Sequence, residues 1–559
     1  MEVRMLLAIV LSFSIFLLYH VLFVKAPPAP VDQRGAVQET QEVEGQSVAE
    51  LEGVKALDEE PPPESLPEEV VVTTPAQEGR TIVVSTPLYL AEFTENGGTL
   101  KSFKLKKYRE SLEPESPLKE LVQLPEDPRG TLVVSFMGQR ILGLTNAVFV
   151  ADVEGDSVDI NEGQERLSFA WRSSDGVTIQ KSYTFSADTY EVGLEIKVRN
   201  LSSEPIDDNL AISLRNSFGE DSESRYVFSG PAVLLDGKLE EIDVKDLSKP
   251  KDREKAGTIG WVAQVDRYFL SAIVPKEPRK AAVKMAKPSD ILRTTYIDPS
   301  GPVPPKSERT YQYKVYFGPK SIEILDSVGA DLTRILDFGF FDIIAKPLLH
   351  AMNFIFRFIP NYGVVIIIIT IIVKLLFWPL SNKSYKSMSQ MKKLQPKMAE
   401  IKAKYKHDRK LMNQEMMSLY KLYKVNPLGG CLPMVLQIPV FFAFYKMLYQ
   451  AIELRHAPFW LWINDLSAPD RLFHFDITLP LMAPPYGIPV LTLVMGASMF
   501  LQQKMSPPPG DPTQAKMMMF MPIFFTFIFI NFPSGLVLYW LVNNILSMVQ
   551  QKYVSKRTA

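Results

Sequence analysis

The sequence predicts a polytopic α-helical membrane protein with six transmembrane helices, a large all-β sandwich-type domain outside the membrane, and a cytoplasmic helical hairpin. Three observations lead there: apolar stretches long enough to cross a bilayer, a block of period-two alternation, and a lysine-rich loop between two of the apolar stretches. At 559 residues the chain is too long for one ordinary core. Its net charge of -2 conceals segregation, with acids crowded before residue 80 and lysines crowded between Asn382 and Lys424. Cys431 is the single cysteine, which excludes an intrachain disulfide. The histidines (His20, His350, His407, His456, His474) lack ligand-like spacing, so neither a structural metal nor a cofactor is expected.

Residues 1–25 read as an N-terminal transmembrane anchor. Met5 to Val24 matches the ~30 Å hydrocarbon thickness as a helix. The stretch exceeds the usual signal-peptide core, and "HVLFVKAPPAP" offers proline where a small-residue cleavage site is wanted, which favours a retained anchor over a cleaved signal. Residues 26–79 are rich in Pro, Glu, Gln and Val with almost no aromatics, and read as a disordered acidic linker.

Residues 80–325 alternate apolar and polar in runs such as "TIVVSTPLYLAEF", "VTIQKSYTF" and "YEVGLEIKVRN", separated by turn formers such as Asn96-Gly97-Gly98. Many strands and few helices predict the β-sandwich. It shows neither a Gly-rich phosphate loop nor a zinc signature. Residues 326–360 include "FFDIIAKPLLHAMNFIFRFIP", where Asp342, Lys346, His350 and Arg357 form one polar stripe on an apolar helix. That suits an amphipathic helix in the membrane interface, or one packed on the β-domain.

Residues 361–555 hold five further spans: "VVIIIITIIVKLLFWPL" at 364–380, then about 428–449, 488–502, 517–532 and 534–550. The last two meet at Phe532-Pro533-Ser534-Gly535, a turn that dictates an antiparallel pair. Between the first two, residues 382–426 carry a dozen Lys or Arg against three acids, which places that loop in the cytoplasm. Six spans then put both termini inside and the β-domain outside. Within the loop, Met388, Met391, Leu394, Met398, Ile401 and Tyr405 recur at helical spacing, as do Met412, Met416, Leu419 and Tyr423, predicting a two-helix hairpin with a basic outer face. That face is a topology determinant, or also a contact for anionic lipid or ribosomal RNA.

Lys374 is the anomaly, an ionisable residue inside an apolar span and therefore a functional candidate by default. Thr370 lies one turn earlier on the same face, and Gln437, Ser498, Gln502, Gln503, Asn543 and Asn544 recur in other spans, with Tyr539 and Trp540 close by. Two readings are open. Either these groups converge on a hydrophilic recess in the cytoplasmic half of the membrane, or Lys374 snorkels to the headgroups while the amides knit helices together. No carboxylate in the spans stands ready to relay protons, which argues against an ion-coupled pump.

The segments "NPLGGCLPMVLQIPVFFAFYKML", "APFWLWINDLSAPD", "MFLQQKMSPPPGDPTQAKMMMFMP" and "FPSGLVLYWLVNNILSMVQQ" closely resemble the YidC insertase family, which is shared with mitochondria and chloroplasts. The match runs from about residue 325 to 555. The anchor, acidic linker and β-rich domain look like the Gram-negative form, which makes that domain periplasmic. The resemblance implies a bacterial inner-membrane insertase and chaperone, not an enzyme. Its partners would be nascent membrane proteins, the Sec translocon, membrane lipids, and the ribosome through the basic hairpin and C-terminus. In that family one arginine in a groove does the electrostatic work, and Lys374 stands at its place, keeping the charge and losing the planar fork. Thr370, Gln437, Tyr539 and Trp540 map to groove positions by the same motifs. A lipid or small-solute translocator using the same recess, and a sugar-binding envelope protein anchored by its spans, are the alternative classes.

Overall fold

The structure is a computed structural model, and it describes residues 79–124, 129–138, 141, 143–218, 227–248, 253–423, 425, 432–479, 482–505 and 512–558. The expected anchor at 1–25 and nearly all of the linker at 26–79 lie outside the described residues.

Alternation along the chain becomes a two-sheet sandwich. In Glu191–Asn200 (EVGLEIKVRN), Val192, Leu194, Ile196 and Val198 are buried while the intervening side chains are not, because successive strand residues face opposite ways. That strand pairs antiparallel with Ser307–Pro319 on one side and Val177–Ser186 on the other, in the interior of the larger sheet. The smaller sheet runs in the order Leu118–Glu120, Thr99–Arg109, Tyr89–Thr94, Thr81–Ser85, Ser157–Asp159, the last pair being parallel. Aromatics fill the gap between the sheets. Phe103 of the smaller sheet stacks on Phe317 of the larger at 5.1 Å, and Phe93 lies 4.6 Å from Tyr183. Such pairs add about 0.5–1.5 kcal/mol beyond area burial.

The Asn96-Gly97-Gly98 turn is tied into that core by a buried cation. Both glycines have positive φ, 75° and 56°, and the Lys181 ammonium donates to the carbonyls of Gly97 at 2.7 Å, Gly98 at 3.3 Å and Leu132 at 3.4 Å. Tyr183 Oη donates to Gly98 O at 2.9 Å. Stripping water from the ammonium pushes its pKa down to about 7.

Nine α-helices follow among the described residues. They are α1 (Ile322–Val328), α2 (Asp342–Phe356), α3 (Tyr362–Leu376), α4 (Trp378–Lys404), α5 (Arg409–Leu422), α6 (Leu432–Gln450), α7 (Val490–Met505), α8 (Pro512–Phe529) and α9 (Ser534–Thr558). Helix α2 buries Ala345, Leu349 and Met352, spaced i, i+4, i+7, and Phe341 at its start stacks on Phe442 of α6 at 5.7 Å. Its opposite side leaves Ile343 and Phe354 exposed, with Phe340 and Phe358 beyond its ends. Of the predicted polar stripe, Lys346 pairs with Asp342 at 2.8 Å and Arg357 with Glu323 at 2.8 Å.

The span carrying Lys374 is shorter than the apolar run suggests. Asn361 caps α3 by accepting from Val364 N at 3.1 Å, and the helix stops at Leu376. Pro379 falls in the first turn of α4, where its missing N–H costs nothing, and the two helices meet at an angle of 66°. Lys374 therefore sits in the last turn of its helix rather than six residues from the end of a longer one. By length and composition, Gly339–Phe356 is the one helix among the described residues suited to crossing a membrane alone, and α3 with α4 meets the same requirements as a bent pair.

Helices α4 and α5 pack as a hairpin. Leu394, Met398, Leu419 and Val425 are buried together, with Met391, Ile401, Met416 and Tyr420 against them. Between the helices, the "KHDRK" stretch supplies Asp408, whose carboxylate accepts from Lys410 N and Leu411 N and so starts α5.

Candidate functional site

Helix α3 turns one face inward: Val365, Ile366, Ile369, Thr370 and Lys374 are buried, whereas Ile371, Ile372, Leu375 and Leu376 are exposed. The helical repeat thus carries Lys374 to the interior behind Thr370. Its ammonium donates to Ser547 Oγ at 2.7 Å and to Asn543 Oδ1 at 3.3 Å, both on α9. Only 6% of the residue is exposed. The ammonium ends among hydroxyl and amide groups. Among the described residues no carboxylate pairs with it.

Asn543 Oδ1 also accepts from Gln437 Nε2 of α6 at 2.8 Å, so one amide oxygen joins two helices to α9. Tyr539, one turn earlier on α9, lies beside Gln437, and its ring stacks on Phe444 of α6 at 4.5 Å. Trp540 meets Phe441 edge-on at 4.6 Å and Phe529 at 5.1 Å, within an aromatic cluster between α6, α8 and α9. Lys374, Gln437 and Asn543 therefore form one connected group, with the Tyr539 side chain against it.

The remaining predicted residues stand apart from it. Thr370 spends its hydroxyl on the carbonyl of Ile366 at 2.6 Å, within its own helix. Ser498 accepts from Asn544 Nδ2 at 3.0 Å, a pair that ties α7 to a different side of α9, since adjacent helical residues point about 100° apart. Gln503 is half-buried on α7 and makes none of the cluster's hydrogen bonds among the described residues. Sequence reasoning missed Ser547, which lies one turn after Asn543 in "NNILS" and takes a hydrogen bond from Lys374. It also missed Gln550, whose Nε2 donates to Trp378 O at 3.2 Å and Asn382 Oδ1 at 2.9 Å. The i, i+4, i+7 spacing of Asn543, Ser547 and Gln550 was the available signal.

Apolar helices around a polar interior, joined to a β-sandwich, define a helix-bundle membrane protein with an extramembrane domain. The sequence model of the family described as "60Kd inner membrane protein" matches residues 354–559, and that of the "YidC periplasmic domain" matches residues 81–351. The chain is 41% identical over 566 residues to a Syntrophus aciditrophicus protein named "Membrane protein insertase YidC", covering 100% of both chains. A Pelobacter propionicus protein of the same name is 42% identical over 562 residues, covering 100% of this chain and 99% of that one. Among solved structures, an active YidC insertase with its first transmembrane domain resolved is similar at a TM-score of 0.36 and 18% identity, covering 85% of this chain and 94% of that one. The chain belongs to the YidC family of membrane protein insertases.

Proposed function

We propose that Lys374 and its partners are the charged centre through which this insertase receives newly made inner-membrane proteins, with or without the Sec translocon. The observation that carries the reading is a buried ammonium held by a serine and an asparagine, with no acid to balance it among the described residues. An unbalanced cation in such a place is costly and makes a ready acceptor for an anion.

An arriving carboxylate exchanges with one of the neutral acceptors and adds ion-pair attraction to a hydrogen bond that the ammonium already makes charge-assisted. At about 4 Å and an effective dielectric of about 20 the attraction is on the order of 4 kcal/mol. That is comparable to the roughly 2.5–3.5 kcal/mol cost of placing an acidic residue at the centre of a span, so one lysine offsets one acid. The client's apolar segment then moves sideways into lipid, stabilised by about 25 cal/mol per Å² buried. Binding and release complete the cycle, and no covalent bond is broken.

Topology follows the same reading. Six crossings place the lysine-rich α4–α5 hairpin and the exposed Lys552, Lys556 and Arg557 in the cytoplasm, where they face ribosomal phosphates and anionic lipid. Helix α2, although long and apolar enough to cross, lies in the outer interface, its Asp342–Lys346 pair toward water and Ile343 and Phe354 toward the acyl chains, and the β-sandwich stands in the periplasm.

Insertion of a client with an acidic translocated segment tests the charge directly. Lys374→Arg should support it and Lys374→Glu should not. Equal insertion by Lys374→Glu at matched expression would remove electrostatic attraction from the mechanism.

A further inference from the structure

The segment between α6 and α7 carries a set of exposed apolar side chains that the insertion chemistry does not use. Leu461 is 86% exposed, Phe473 72%, Ile477 68% and Trp460 60%. Two of these, Leu461 and Phe473, hold φ at 58° and 52°, a left-handed backbone that bulky residues rarely adopt. A strained backbone that turns a large apolar side chain toward solvent persists only where surrounding contacts over-determine it, and such positions cluster at functional surfaces.

The contacts that impose this shape also fix its level. Leu466 O accepts from Gly535 N at 2.9 Å, Asp465 O from Ser534 Oγ at 2.7 Å, and Ala468 O from Ser534 N at 2.8 Å, all at the first residues of α9. Arg471 donates to Ile530 O at 2.9 Å, just past the end of α8, and to Pro485 O at 2.9 Å. Asn361, the cap of α3, donates to Phe459 O at 3.2 Å. Leu472 and Ile488 exchange backbone hydrogen bonds at 2.9 and 2.7 Å in an isolated β-bridge, and Phe475 N donates to Tyr486 O at 3.2 Å, so these two stretches run side by side. The segment is thus bolted to the same ends of α3, α8 and α9, with Trp460 next to the anchored Phe459, and Phe473 and Ile477 two and six residues beyond the anchored Arg471.

We propose that Trp460, Leu461, Phe473 and Ile477 form an apolar blade that enters the outer-leaflet headgroup boundary of the membrane crossed by α3, α8 and α9. Continuity with those helix ends selects lipid as the occupant. His474 and Asp476 alternate with Phe473 and Ile477 and are exposed, which limits the blade to the depth where acyl chains meet headgroups. Trp and Tyr favour that level because one end of the ring is apolar and the other wet.

The inference rests on the membrane-crossing reading of the helices, and site-directed spin labelling of the whole protein separates the two. Labels at Leu461→Cys and Ile477→Cys, in a Cys431→Ser background, are compared in vesicles of phosphatidylethanolamine and phosphatidylglycerol. Reference labels sit at Phe527→Cys on α8 and at Leu201→Cys on the β-sandwich. The blade positions should be more accessible to oxygen than to a water-soluble nickel chelate, as at Phe527, with Leu201 showing the reverse. Nickel accessibility like that of Leu201 overturns the blade while leaving the spans intact. Protection from both reagents means that a second copy covers the surface, and overturns it equally. Nickel accessibility at Phe527 as well removes the spans and the blade together. As a second variant, Leu461→Asn with Phe473→Asn keeps residues tolerant of positive φ and removes the apolar contact, and it should lower oxygen accessibility at Ile477→Cys severalfold. An unchanged value there counts against the proposal.

Discussion

Lys374 and Ser547 are 173 residues apart in sequence and 2.7 Å apart in space, the shortest link between α3 and α9 at the charged centre. A hydrogen bond to an ionised group contributes about 1.5–3 kcal/mol. Ser547→Ala should therefore lower the unfolding temperature of the purified protein, whereas Ser555→Ala, on an exposed turn of the same helix, should change it little. Equal thermal stability of the two variants would show that the ammonium finds another acceptor at no cost.

Gly363 and Phe459 test the packing of the α6–α7 connection on α3. A Cβ at Gly363 would lie 2.0 Å from the phenyl ring, so Gly363→Ala should overpack the contact by about 1–3 kcal/mol. In a Phe459→Leu background the same substitution should cost less. A double-mutant cycle with no coupling would mean that the ring moves freely aside.

The Lys181 ammonium sets a pH dependence in the β-sandwich. Its pKa falls from 10.5 to about 7 on folding, so between those values the unfolded chain binds more protons and stability rises with pH. The burial penalty is fully present below pH 7. Lys320, lowered to about 8 by its own burial, adds to the rise. Hydrogen exchange of Val177–Ser186 should therefore report greater stability at pH 9 than at pH 7, once corrected for intrinsic rates. Lys181→Met should make that rise shallower, leaving the part due to Lys320, and should leave the carbonyls of Gly97, Gly98 and Leu132 short of a donor. An unchanged slope would assign the effect elsewhere.

Asp408→Ala removes the acceptor for two N–H groups at the start of α5 and should cost about 1 kcal/mol. The effect should appear as faster amide exchange in the first turn of α5, with the α3–α9 cluster unchanged. Loss of protection at Asn543 and Ser547 would instead reveal coupling between the hairpin and the charged centre.

Much of the architecture could be read from local pattern. The alternation of "YEVGLEIKVRN" became Glu191–Asn200, and the Met and Leu spacing from Met391 to Met398 became the buried side of α4, because a half-buried element writes its period into its own residues. Lys374 was legible for the opposite reason, as a charge where the pattern demands hydrocarbon. The break after Leu376 was missed because Trp378 and Leu380 continue the apolar run, and Pro379 alone marks the boundary. Ser547 was missed because a single hydroxyl in "ILSMV" is common packing in a span, and its importance depends on which helix crosses it. The split between the Lys374 group and the Ser498–Asn544 pair was equally hidden, since neighbouring asparagines look alike until the helix axis is placed.

Along α9, Asn543 and Ser547 hold α3 and α6, Asn544 holds α7, Gln550 holds α4, and Gln551 donates to Met505 O at the end of α7 at 3.0 Å. These anchors belong to a stretch of chain that a ribosome delivers after every partner they hold. Until it emerges, Lys374, Gln437, Ser498 and Asn382 have been synthesised without their mates, and the earlier helices wait as an unlocked assembly. Helix α9, made after the helices it ties, thus acts as the pin that locks α3, α4, α6 and α7 together.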